Sequence, residues 1–177
     1  MKNRNLKHSD NWETPKYFYD ELNKEFNFDF DPCPLNESEI APDKDGLLIE
    51  WGERNFINPP YSQKLKEGFV KRAVNDFQNR LNVFLIPVST STNLFHDFIL
   101  PNKKEIRFIK RRIPFIGISE KIQKDGSTLT QYVNWHLTDR IAPEGVKHIK
   151  NCGMHDSMIV VFNEWLNDDN RLEHTEK

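Results

Sequence analysis

Only two cysteines, Cys33 and Cys152, occur in 177 residues. Two thiols make no disulfide framework, and a reducing, cytoplasmic setting is the simplest reading. No apolar run approaches the roughly 20 residues of a membrane span, so no membrane partner is expected. The opening stretch MKNRNLKHSDNWETP has no apolar run and reads as no secretory signal. Neither sign of charge dominates: 25 Lys and Arg stand against 27 Asp and Glu, a net charge of −2. That excludes a globally basic nucleic-acid coat and leaves room for a local basic patch. Internal repeats and low-complexity tracts are absent as well.

What remains is a polar but globular composition. Mean hydropathy is −0.74 and hydrophobic residues make up 37%. Thirteen Phe, four Trp and four Tyr supply large side chains for one core. The length suits a single domain.

Short apolar runs alternate with helical patterns, which predicts an α/β domain. Thr14 is placed to cap a first helix, with Pro15 in its first turn and Phe18, Leu22 and Phe26 on one face. Phe28 to Asp31 reads as a strand ending at Pro32, and Arg54 to Asn58 as another. Ser62 is a candidate cap for a second helix carrying Leu65, Phe69, Val70, Ala73 and Phe77. Leu81 to Pro87 is nearly all apolar and reads as a buried central strand. Asn93 is placed to cap a short helix with Leu94, Phe95, Phe98 and Ile99. Ile106 to Ile109 and Ser157 to Phe162 are further strands. The stretch Gly117 to Asn151 breaks the alternation. Its Lys124-Asp125-Gly126 turn signal suggests an inserted β-hairpin or lid before the last strand. The first dozen residues read as frayed, and the end from Asn167 to Lys177 as a loose tail.

The most informative residues are Asn58, Pro59, Pro60 and Tyr61, followed by Ser62. They lie between a predicted strand and a predicted helix, at the edge of an open α/β sheet where ligands bind. The prolines stiffen the backbone and carry no N–H, but their carbonyls still accept. The plain alternative is a rigid turn with an aromatic plug. The chemical reading starts from the amine of adenine, a poor nucleophile whose lone pair is delocalised into the ring. Two acceptors, the Asn58 side chain and the Pro59 carbonyl, would bind its two N–H groups and favour a pyramidal nitrogen. Rate would then come from orientation and fixed dipoles, with no strong base. Tyr61 would stack on the base outside the duplex, its ring face open in the unbound protein.

Other pieces accompany this motif in order: Trp12-x-Thr14-Pro15; Asp31-Pro32-Cys33 followed by Asn36; Asp45-Gly46-Leu47 with Trp51; Leu85-Ile86-Pro87 with Thr90; and Arg112-Ile113-x-Phe115 before the final SMIVVF. Over Asp10 to Phe162 the chain thereby resembles the phage-type DNA N6-adenine methyltransferase family. The resemblance implies a Rossmann-like methyltransferase sheet of reduced size in residues 12–163. Residues 1–11 would be a polar arm, 117–151 an insertion or target-recognition element, and 164–177 a polar tail. It implies S-adenosylmethionine as cofactor and double-stranded DNA as partner, with no metal and no obligate protein partner. Asn58, Pro59, Pro60 and Tyr61 would be catalytic. Trp12, Thr14, Pro15, Asp31, Pro32, Cys33, Asn36 and Asp45 would border the cofactor. For its ribose, Asp43, Asp45 and Glu50 are candidates. The family's glycine-rich cofactor turn is missing, and Pro32-Cys33-Pro34 stands in its place.

Lys103, Lys104, Arg107, Lys110, Arg111 and Arg112 crowd one stretch with a single acidic residue. A solvated face explains most such runs; with DNA as substrate, phosphate contact is the reading adopted. His148, Cys152 and His155 lack a local fourth ligand and read as an ordinary loop. Two other functions stay open. One is a different amino acceptor: cytosine N4, RNA adenine or a glutamine amide. The other is a non-catalytic DNA-binding relic, suggested by the missing glycine turn.

Overall fold

A strand as apolar as Leu81–Pro87 needs cover on both faces. The computed structural model of the protein shows that cover; it describes residues 4–5, 10–33, 39–76, 80–141 and 143–162. The elements are β1 (Arg4–Asn5), β2 (Trp12–Glu13), α1 (Lys16–Phe26), β3 (Glu39–Ile40), β4 (Arg54–Ile57), α2 (Gln63–Val74) and β5 (Leu81–Pro87). A π-helical stretch, Leu94–Ile99, then runs into α3 (Leu100–Asn102). There follow β6 (Glu105–Phe108), β7 (Ile116–Ile122), β8 (Thr128–Val133), a 3-10 turn at Trp135–Leu137, β9 (Lys147–Ile149) and β10 (Ser157–Phe162).

The main sheet has the order β4-β5-β10-β6. β4 and β5 are parallel, joined through α2. β10 is antiparallel to both β5 and β6, so β6 runs in the direction of β4 and β5. Side-chain alternation divides the core in two. Val83, Leu85, Ile159 and Val161 pack toward Leu22 and Phe26 of α1. Phe84, Ile86, Val160 and Phe162 pack toward Phe69, Val70 and Ala73 of α2 and toward Phe95 and Ile99. Each fully buried large side chain contributes roughly 1.5–3 kcal/mol, which is why the two central strands carry apolar residues almost throughout.

A second sheet, β2-β7-β8-β9, occupies the segment that breaks the α/β alternation. Its centre is the antiparallel β7–β8 hairpin, whose turn holds Gly126 at φ +82°. β2 joins by pairing Trp12 with Gly117. A Cβ at Gly117 would lie 2.8 Å from the Trp12 ring, so glycine permits that close pairing.

Several local expectations are corrected. The strand expected at Phe28 to Asp31 contracts to one parallel bridge, Phe30 with Asn55. The Asp29 carboxylate takes the Arg54 N–H (3.1 Å) that a longer ladder would have used. Thr14 does not cap α1: Pro15 is the capping position, and its carbonyl accepts from Phe18 and Tyr19 (3.0 and 3.1 Å). The Ser62 side chain does not cap α2. Asn93 occupies the capping position of the π-helical stretch but its side chain makes no cap bond; Thr92 supplies the acceptors, its hydroxyl and carbonyl both accepting from the Phe95 N–H. The described part of the arm is not frayed, because Arg4–Asn5 pairs with β3. Asn36, Phe77 and the tail lie outside the described residues. Among the described residues no helix is long and apolar enough to cross a membrane.

Candidate functional site

β4 ends at Ile57 and hands the chain to Asn58, Pro59 and Pro60, all buried. Asn58 is held from the N-terminal segment. Its Nδ2 donates to the Trp12 carbonyl (2.7 Å) and to the Thr14 hydroxyl (3.1 Å). Two acceptors on the nitrogen side fix which way the amide points. Asn58 Oδ1 is buried and has no partner. The same N-terminal segment grips the loop again at Asp10, whose carboxylate accepts the Ser62 N–H (2.7 Å). Asp10, Trp12 and Thr14 thus act together to set the loop that follows β4.

Beside this loop, between the two sheets, lies a cavity of about 430 Å³. Tyr61, Pro87 and Ser157 line it from the main sheet's edge; Trp12, Phe115 and Val133 line it from the second sheet and its approach. The Tyr61 ring meets Phe115 edge-on at 5.9 Å and 87°. It also packs on the core around Leu85 and Ile113. Tyr61 is therefore not an open platform: the ring borders the cavity and helps close the core. Its hydroxyl is buried without a partner, and desolvation holds its pKa well above the ordinary value.

The other residues expected at the site spread over two regions. Thr14 and Pro15 are buried next to Asn58. Asp31 leaves the Phe30 bridge at the edge to which β4 delivers Asn58. Water reaches the Asp31 side chain, yet protein crowds its recess. That desolvation pushes the carboxyl up to about 7, against the opposing Cys33 N–H at 2.8 Å. Pro32 and Cys33 are buried. Gly46 presses on this turn so closely that a Cβ there would sit 1.8 Å from the Pro32 carbonyl oxygen. Asp45 is already engaged: Oδ1 accepts from Arg4 (2.5 Å) and from the Leu47 N–H (2.8 Å). Of the other ribose candidates, Glu50 pairs with Arg80 (3.0 Å) and Asp43 is exposed.

The basic stretch also divides. Arg107 is held by Glu25 and Glu105 at 2.5–2.8 Å and lies over the Phe26 ring. Its charge is already matched. Lys103 donates to the Leu100 carbonyl (3.0 Å), and Lys104 is exposed. Arg112 pairs with Asp156 (3.2 Å). Lys110 and Arg111 are exposed in the turn after β6, at the sheet edge where β5 also ends. Arg111 adopts φ +91°, a left-handed conformation uncommon for a side chain of this kind. Cys152 and His155 line the cavity, and no group of metal-ligating side chains forms among the described residues.

A family model for DNA N-6-adenine-methyltransferase (Dam) matches residues 2–175. The chain belongs to this family. No curated protein and no solved structure matches it.

The Dam-family chain contains two features that sequence reasoning missed. Phe115 is the aromatic partner of Tyr61, though it appeared only as part of a motif. Asn134 is buried at φ 55° and ties three segments together. Its Nδ2 donates to the carbonyls of Phe115 (2.8 Å) and Asn151 (2.6 Å), and its Oδ1 accepts the Asn151 N–H (2.9 Å). An asparagine after an apolar strand end was the only signal, and it is a weak one.

Proposed function

We propose that this protein transfers a methyl group from S-adenosylmethionine to N6 of adenine in double-stranded DNA. The observation that carries the reading is Asn58: its nitrogen is doubly held and its buried oxygen is unpartnered. A buried acceptor left over in a folded protein calls for a ligand donor. The amine of an extruded adenine offers two. Asn58 Oδ1 would accept one N–H and the Pro59 carbonyl the other, turning the nitrogen lone pair out of the base plane. Tyr61 and Phe115 would flank the base in the neighbouring cavity, beyond the reach of the duplex stack. Orientation by fixed acceptors supplies the rate, with no side chain needed as a strong base.

Thr14, Pro15, Asp31, Pro32 and Cys33 fit the cofactor side. An accessible carboxylate in a crowded recess suits a ligand rich in hydroxyls and positive charge. The cofactor, when bound, supplies an electrophilic methyl group on a sulfonium. The main sheet supports a reduced Rossmann-like reading, since parallel strands are followed by one antiparallel strand inserted before the edge. Lys110 and Arg111 stand as phosphate contacts, and two unpaired thiols suit a cytoplasmic setting.

Asn58→Ala tests the reading. Methylation should fall on the order of 10²–10³-fold, while calorimetric affinity for S-adenosylmethionine stays near wild type. Wild-type turnover by Asn58→Ala would sink the proposed site. Mass spectrometry of digested product should show N6-methyladenine; N4-methylcytosine would replace the acceptor.

A further inference from the structure

We propose that Lys66 and Lys121 grip the DNA phosphates on either side of the target adenosine. This rests on the reaction proposed above and extends it to the strand that carries the base. Lys66 projects from α2 and Lys121 from β7, so the two reach the cavity from elements flanking different sheets. The register Lys121↔Leu129, Ser119↔Gln131 and Gly117↔Val133 puts Lys121 and Ser119 on the strand face that also presents Val133. Ser119 and Val133 line the same cavity.

The cavity's charge is one-sided. The chain has more acidic than basic residues, yet none of the described residues lining the cavity is Asp or Glu. Two lysines and His155 are there instead. Lys66 is half-buried, and desolvation of its recess weighs against its charged form. The nearest acidic influence on it is Glu67, its chain neighbour, which is drawn toward Lys71 (3.6 Å). A half-buried ammonium in a cavity with no acidic residue among its described lining is stabilised by an anion that arrives with a ligand. A nucleotide whose base enters the cavity brings two such anions. They are the phosphodiesters before and after it, and the turned-out backbone leaves them at the mouth.

The test reads binding, so it does not depend on methyl transfer. A short duplex of G and C carries one adenine opposite an abasic position. A second copy replaces the two phosphates flanking that adenine with neutral methylphosphonates. Fluorescence anisotropy gives affinity against salt for each. Wild type should bind the charged duplex more tightly, with a log–log salt slope steeper by about two. The double variant Lys66→Gln, Lys121→Gln should bind the charged duplex as wild type binds the neutral one. Neutral linkages should cost that variant nothing further, and Lys66→Arg with Lys121→Arg should retain the wild-type slope. Equal wild-type affinity for both duplexes overturns the proposal, even if the Gln variants fail to fold. So does a double variant that loses as much again on the neutral duplex, or one that loses only S-adenosylmethionine affinity. A wild type that grips the flanking phosphates but methylates no adenine would sink the proposed reaction and leave this inference standing.

Discussion

Asn58 and Tyr61 each bury a polar atom without a partner, and the two atoms have different consequences. The Asn58 oxygen belongs to an amide whose other end is pinned by Trp12 and Thr14, so its direction is set before any ligand arrives. The Tyr61 hydroxyl has no such fixing bond, and it sits on a ring that packs against Phe115 and the core. An unpartnered buried hydroxyl costs stability, about 1–3 kcal/mol for a group left wholly unsatisfied. Tyr61→Phe should therefore raise the melting temperature, by an equivalent of about 1 kcal/mol, and keep methylation. Tyr61→Ala should lose about 2–3 kcal/mol, because the ring fills space beside Phe115. Thermal unfolding and turnover measured on both variants decide the matter. Lost activity in a well-folded Tyr61→Phe would show that the hydroxyl serves a ligand after all.

β6 and the turn that follows it separate charges that sequence places together. Arg107 lies within the strand, where Glu25 from α1 and Glu105 surround its guanidinium. The hydrogen bonds from Arg107 hold the Glu25 and Glu105 carboxyls below their ordinary range. The pairs are partly exposed, so breaking them should cost under about 1 kcal/mol. Lys110 and Arg111 lie beyond the strand end, exposed, at the edge that also carries the Asn58 loop. Replacing both with Gln should flatten the salt dependence of DNA binding by about one to two log–log units. Arg107→Gln should leave that slope where it was. Binding titrations over a range of salt concentrations compare the two; a slope that moves with Arg107 alone would reverse the assignment.

Across the whole molecule, two sheets meet at one cavity, and the chain's own polar contacts hold them there. Asn58 reaches back to the strand that pairs with β7, and Asn134 ties β8 to the residues before β7 and after β9. Asp31 sits at the same edge with its carboxyl raised from 3.8 to about 7. A carboxyl raised in the folded state binds its proton more tightly there than in the unfolded chain. Its contribution is thus favourable at low pH and is lost as pH climbs from about 4 to about 7. Asp31→Asn should match wild-type stability below that window and exceed it above. Because water reaches the side chain, the gain should be smaller than for a fully enclosed carboxylate. Denaturant unfolding at several pH values checks this; parallel curves for the two proteins would refute it.

The repeating patterns of the chain decided the elements whose faces are uniform. Leu81–Pro87 and Ser157–Phe162 appear as expected, because a strand covered on both sides must be apolar at nearly every position. The four-residue spacing of Phe18, Leu22 and Phe26 likewise leaves only a helix that buries one face. The order of short motifs, with Asn58-Pro59-Pro60-Tyr61 among them, was enough to point to the family. The tertiary structure alone decided what the isolated polar residues do. Thr14 looks like a helix cap until Asn58 takes its hydroxyl, and Asp45 looks free until Arg4 and the Leu47 N–H occupy it. Arg107 reads as one basic residue among six until α1 brings Glu25 beside it. Apolar patterning is periodic and repeats within a dozen residues, so a sequence displays it. Which acceptor meets which donor depends on segments far apart in the chain, and only the closed fold brings them together.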